Sequence, residues 1–256
     1  MSLIKKYICL IVGLSFSITL IGQVANPIGS QCNLCKSDSK HIHLDPYQVN
    51  LKKEVPFFLT GLGLLSSGLY IKSINEKPQF TVEELNALDA NKINSFDRRA
   101  VNYHSNADQT ASNVILYTGL ALPTLFFMSN HHTRKDVGPL LIMSLEILTI
   151  SNGLSFNAKY IFNRSRPQAY NSAFSINERT SSTARLSFFS GHTTQTAAFS
   201  IFITKVISDY HPNMKNGVKI GLYTFGLGLP ATMGYLRVKS GKHFPTDVKR
   251  VLLLEH

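Results

Sequence analysis

The sequence predicts an all-α fold, a helical bundle of about six long helices whose last member is cut short. Three observations carry this reading. Five apolar runs of about 16 to 22 residues are separated by polar stretches, a length between that of spanning helices and long core helices. No segment shows the period of two that a half-buried strand requires. Helix-start signals stand where helices should begin, notably Thr81 three residues before Glu84, Ser190 before an apolar run, and Pro245 in a first turn.

Taken in order, the chain opens with Lys5 and Lys6, an apolar stretch over 7–21, and then Gly22, Gln23 and Ala25. Residues 1–23 therefore read as an export signal or an uncleaved anchor. Residues 24–54 are polar and contain Pro27, Gly29 and Pro46, which reads as a linker. Cys9 lies in the signal segment, and Cys32 and Cys35 are the other two thiols. An oxidising compartment permits a local disulfide between them. His41 and His43 follow at a spacing too cramped for an ordinary zinc knot, so a flexible linker is the simpler reading and no metal is expected.

The first long helix is expected over 55–71, where Gly61, Gly63 and Gly68 suggest close helix packing. Residues 72–110 turn polar, with a capped short helix over 81–88 and a short amphipathic helix over 95–103. Further long helices are expected over 113–128, 137–158, 192–210 and 217–238, interrupted by Glu146, Lys205 and Lys219. From Phe244 only about ten residues remain, roughly 15 Å of helix or half a bilayer core. The ending Leu254-Glu255-His256 resembles an expression-tag junction, so a longer natural helix is expected.

Composition narrows the function. The 256 residues are 44% hydrophobic with no Trp and carry a formal charge of +11. Mean hydropathy is +0.02, between a polytopic transporter and a disordered chain. Basic excess suits nucleic acid, an anionic surface or a phosphorylated substrate. No zinc-finger or RNP-type pattern is present and the basic residues do not interleave with aromatics, so no nucleic-acid partner is expected.

Three short motifs favour an anionic substrate. Lys159 and Arg166 lie seven positions apart, which is about two turns if the helix continues, and Pro167 then ends it. Taken alone, they are ordinary dipole caps. Ser190-Gly191-His192 precedes an apolar run; Ser is a good N-cap and Gly lets a backbone N–H approach a phosphate. Alone, this is a capped helix with a surface histidine. Arg237 closes a long helix, and His243 and Asp247 stand four apart at the start of the last one, where a carboxylate can hold one imidazole tautomer.

In this order the motifs resemble the type 2 phosphatidic acid phosphatase superfamily, which shares its core with class A acid phosphatases and vanadium haloperoxidases. The motif core runs over 159–247, within a phosphatase-like domain over 55–256. Two positions depart from the family pattern: Phe189 stands where Pro is usual, and Leu236 where Ser is frequent. The basic pair Lys249-Arg250 is also unexpected in an apolar final helix.

The resemblance implies a bacterial, membrane-associated, metal-independent phosphatase without a cofactor, acting on a lipid phosphate or other phosphoester. It assigns Lys159, Arg166, Arg237, Ser190 and Gly191 to phosphate binding, His243 to nucleophilic attack, Asp247 to orienting His243, and His192 to protonating the leaving group. A cell-envelope location with a periplasm-facing site is expected. The alternatives are a soluble periplasmic acid phosphatase, a haloperoxidase, and a membrane scaffold with a relict site.

Overall fold

The computed structural model describes residues 46–131 and 133–254. The export segment, Cys32, Cys35, His41, His43 and the last two residues lie outside the described residues. Among the described residues the chain is helical and contains no strand, as expected.

The long helices are α1 (Leu51–Asn75), α4 (Asn106–Ser129), α5 (Val137–Phe162), α8 (Gly191–Tyr210) and α9 (Asn216–Lys239), followed by the ten-residue α10 (Pro245–Leu254). Short helices fill the intervals: α2 (Val82–Asn86), α3 (Ser95–Arg98), α6 (Pro167–Tyr170) and α7 (Ile176–Arg179). α1 begins at Leu51, so it takes in the last four residues of the stretch read as linker. Asn50 accounts for this start, since its side chain accepts from the Lys52 amide. The expected capping box closes around α2, with Thr81 and Glu84 each accepting the other's backbone N–H. The amphipathic 95–103 stretch divides into α3 and a 3-10 turn over Arg99–Asn102.

α1 packs along α5, and small residues set the approach. A Cβ on Gly61 would lie 2.9 Å from Thr149 Cβ, and one on Gly153 would lie 2.6 Å from Leu64 Cβ. Gly68 meets Phe156 in the same way, whereas Gly63 faces open space and takes no part. Polar pairs reinforce the contact: Asn157 donates to the Leu64 carbonyl at 2.5 Å and accepts from Ser67 Oγ at 3.0 Å. α8 packs against α9, α5 and α4, and forms the centre of the bundle.

α10 is amphipathic rather than uniformly apolar. Val248 and Val251 are buried while Lys249 and Arg250 are exposed, which explains the basic pair. Of the interrupting charges, Lys205 pairs with Asp209 one turn on, and Lys219 faces outward. Glu146 is fully buried.

The outward faces of the bundle remain apolar. Leu59, Leu69 and Ile74 of α1, Tyr117 and Leu125 of α4, and Ile220 and Phe225 of α9 are all exposed. Among the described residues, three helical stretches are long and apolar enough to cross a membrane: Leu51–Asn75, Asn106–Ser129 and Arg134–Tyr170, which contains α5.

Candidate active site

The site forms where three loops are stitched together by backbone hydrogen bonds. α5 ends earlier than the seven-residue spacing suggested. Asn163 adopts a left-handed conformation (φ 44°), and its side chain donates to the carbonyls of Asn75 (2.7 Å) and Tyr160 (2.8 Å). Lys159 is thus on the last turn of α5 and Arg166 lies beyond the helix, in extended backbone. Pro167 does not end α5; it opens α6 at its first position, where its missing N–H costs nothing. The Arg166 amide donates to the Ala184 carbonyl at 2.8 Å, and the Ser187 amide donates to the Arg164 carbonyl at 2.9 Å. The first motif is thereby laid beside the segment that leads into the second.

The third motif joins through the Gln168 amide, which donates to the Gly241 carbonyl at 3.0 Å. Gly241 has φ +68°, and a Cβ there would be forced against the Tyr103 carbonyl. This turn folds Lys242 and His243 back so that both amides donate to the Arg237 carbonyl at 3.2 Å.

Ser190 is the N-cap of α8, as the sequence indicated. Its Oγ accepts from the Thr193 amide (3.4 Å) and the Thr193 hydroxyl (2.9 Å). The preceding Phe188–Phe189 peptide is cis. Gly191 leaves room for the first motif: a Cβ there would lie 3.2 Å from Lys159 Nζ and 3.1 Å from Ser155 Oγ. Lys159 therefore stands directly at the start of α8, whose free amide groups attract anions.

The two histidines differ in what holds them. His243 is buried, and its Nδ1 lies 2.7 Å from the Ser187 carbonyl. A carbonyl can only accept, so Nδ1 carries the proton and Nε2 keeps its lone pair. Asp247 Oδ2 is 3.8 Å from Nδ1, beyond hydrogen-bond reach. The direct His243–Asp247 bond implied by the sequence is replaced by an indirect arrangement: Asp247 accepts from Ser187 Oγ (2.5 Å) and the Phe244 amide (2.8 Å), and so fixes the residues on either side of the ring. His192, in the first turn of α8, is half-buried, and Asn113 Oδ1 holds its Nε2 at 3.0 Å.

Burial lowers both imidazoles to about 3. At His192 the charges of Arg237, Lys159 and Arg166 and the ring of His243 add to the effect. At His243 the charges of Arg166 and Arg237 add to it, while Asp247 opposes it. The motif residues thus share one electrostatic neighbourhood. Both rings are therefore neutral at pH 7 in the absence of anions, and a bound anion would shift them toward the charged form.

Several residues that support this geometry were not foreseen. Arg164 donates to Asp247 Oδ1 through Nη1 and to Asp97 Oδ2 through Nη2 (2.7 Å), and its guanidinium lies 4.4 Å from the centre of the Phe244 ring. Asp97 also accepts from the Thr246 amide (3.0 Å), the Thr246 hydroxyl (2.6 Å) and Asn94 (2.8 Å). Burial alone would raise the Asp247 carboxyl, but the His243 ring, Arg164 and the Ser187 hydroxyl hold it below the usual carboxylate range. On α4, Ser112 accepts from Arg237 Nη1 at 3.2 Å, beside the Asn113 that holds His192. Only the polar pair Ser112-Asn113 at the start of an apolar run offered a sequence signal for these supports.

Two comparisons, with curated proteins and with solved structures, returned no match. A family model described as the PAP2 superfamily matches residues 140–249, a stretch that contains all three motifs. That stretch of the chain is therefore similar to the PAP2 superfamily, which is of phosphatase type.

Proposed function

We propose that the protein is a metal-independent phosphatase that hydrolyses phosphate monoesters or diphosphates, carried on lipids, through a phosphohistidine on His243. The observation that carries this reading is the hydrogen bond from His243 Nδ1 to the Ser187 carbonyl, which leaves Nε2 unprotonated among several cations.

Lys159, Arg166 and Arg237, with Ser190 and the Gly191 amide, hold the phosphate oxygens and stabilise the charge that builds on them. The Nε2 lone pair of His243 attacks phosphorus, and the bond to the leaving oxygen breaks. His192, charged once the anion is bound, gives that oxygen a proton. Water then cleaves the P–N bond, releases inorganic phosphate and returns a proton to the histidine pair. Asp247 acts through Ser187 and Phe244 to keep His243 in place.

The exposed apolar faces of α1, α4 and α9 support a membrane setting, in which the substrate is the headgroup of a lipid. Within this proposal the protein belongs to a cell envelope, with the site facing the periplasm.

The test is phosphate release from a panel of lipid and soluble phosphates in EDTA, with and without vanadate, alongside trapping of an acid-labile phosphoprotein. Release that persists in EDTA and is blocked by vanadate supports the proposal. Peroxide-dependent bromination in place of release would assign a haloperoxidase, and inactivity in both assays would leave a non-catalytic site.

A further inference from the structure

A fourth cation adjoins the clamp, and none of the three motifs includes it. Lys242 directly precedes His243, and its side chain is 9% exposed. The Gly241 turn fixes its backbone, since its amide donates to the carbonyl of Arg237, itself a clamp residue. The ammonium stands 4.8 Å from the centre of the Phe174 ring and 3.4 Å from Glu178 Oε1. That is a long contact for an ion pair. The Glu178 side chain is 40% exposed, and its other oxygen is taken by the Ser175 amide and hydroxyl. Burial lowers the lysine's proton affinity and Glu178 raises it, while Arg166 and Arg237 lower it further, so the ammonium feels the same field as the clamp.

We infer, on the basis of the phosphatase reading above, that Lys242 is a specificity-determining residue which leaves Glu178 to bind a second anionic group attached to the scissile phosphate. The substrate class it selects is a diphosphate ester. The terminal phosphate occupies the Lys159–Arg166–Arg237 clamp, and the inner phosphate, the leaving group, meets Lys242.

The chemistry suits this assignment. A lysine is a compact charge on a flexible stem, able to follow a phosphate that moves as its bond breaks. An alcohol leaving group must be protonated as it departs. An inner phosphate is a far weaker base, with a second ionisation near about 6, and can leave as an anion. In the step itself, Nε2 of His243 bonds to the terminal phosphorus. The bond from that phosphorus to the bridging oxygen breaks, and the electron pair stays on the inner phosphate, where Lys242 meets the added charge. Water later releases the terminal phosphate from His243, so the products are inorganic phosphate and the monophosphate ester.

The experiment compares kcat/KM for a prenyl diphosphate and for the prenyl monophosphate of the same chain, in detergent micelles, with wild type, Lys242→Gln, Lys242→Arg and Glu178→Gln. In Lys242→Gln the diphosphate-to-monophosphate ratio should fall about tenfold or more, as expected for loss of a charge-assisted contact. Lys242→Arg should restore most of it. Glu178→Gln, which frees the ammonium without removing it, should hold or raise the ratio, and it provides the reading if Lys242→Gln does not fold. Equal losses on both substrates in Lys242→Gln, or a fall in the ratio in Glu178→Gln, would overturn the inference and leave a structural ion pair. Wild-type protein that hydrolyses neither substrate would remove the phosphatase reading and this inference with it.

Discussion

The two sides of the candidate site treat charge in opposite ways. On the inner side, Asp97 and Asp247 flank Arg164, and every carboxylate oxygen has a donor: Thr246, Asn94 and Arg164 serve Asp97, while Arg164, Ser187 and the Phe244 amide serve Asp247. On the pocket side the cations lack such matching. Among the described residues, Arg237 reaches one serine hydroxyl and has a buried Nε with no partner, and the Arg166 side chain reaches only the Leu186 carbonyl, at 3.4 Å. Among the described residues Lys159 has no ion pair. Burying charge without a counter-ion is costly, whereas a fully hydrogen-bonded pair is tolerated. The paired side therefore maintains the shape, and the unpaired side is where the proposed function seats its anion.

The largest effect should come from the two histidines to which the proposal gives the chemistry. His243→Ala is expected to lose phosphate release by about 10³-fold or more, and His192→Ala by about 10² to 10⁴-fold, while both proteins remain folded by circular dichroism. Full turnover in His243→Ala would end the phosphohistidine proposal.

The comparison is tested more directly by a pair of arginine variants. Arg164→Met removes the counter-ion from two buried carboxylates and should cost about 3–5 kcal/mol of stability, the usual result of leaving a buried charge unpaired. Arg237→Met removes a charge that has no counter-ion, so the empty protein should hold or gain stability while phosphate release collapses. Thermal unfolding in detergent reads both. If the two variants lose equal stability, the distinction between the two sides fails.

Gly191→Ala probes the point where two motifs meet. The added Cβ would displace Lys159 Nζ, 3.2 Å away, and Ser155 Oγ, 3.1 Å away. A shift of a few tenths of an ångström in one clamp cation should raise KM more than it lowers kcat, with a loss of about tenfold in kcat/KM. Unchanged kinetics would show that Lys159 does not touch substrate at this position.

The helices, their order and the motif residues were legible because each has a local signature. Apolar runs mark α1, α4, α5, α8 and α9, the Thr81–Glu84 spacing marks α2, and Ser190 marks the start of α8. The supports were not legible, because they depend on distant meetings. Asp97 lies 67 positions from Arg164 and 149 from Thr246, and nothing in the local pattern of α3 announces that it will close over the site. The role of Asp247 illustrates the same limit. Its spacing of four from His243 suggested a direct bond, but Ser187, 56 residues before His243, supplies the carbonyl that the ring prefers. The helix does not continue to Arg166, because the left-handed Asn163 stops α5, and asparagine tolerates that conformation without announcing it.

The smallest effect is one of pH on stability, and its sign follows from the unpaired side. Folding lowers His192 and His243 from an ordinary 6.5 to about 3, chiefly by burial. Between those values the unfolded chain binds more protons than the folded one, so stability is complete above pH 6.5 and declines as pH falls toward 3. Asp97 and Asp247 are also lowered, but from 3.8, so their losses come at lower pH and leave the upper part of the window to the histidines. A phosphate or vanadate anion in the clamp favours the imidazolium form and should raise both values, which flattens the decline. The midpoint of thermal unfolding, followed from about pH 7.5 to about pH 4.5, should therefore drop in the empty wild type, drop less in His192→Ala, and drop less again when wild type is saturated with vanadate. A pH profile that vanadate leaves unchanged would show that the anion does not sit beside these two rings, and the unpaired cations would then need another occupant.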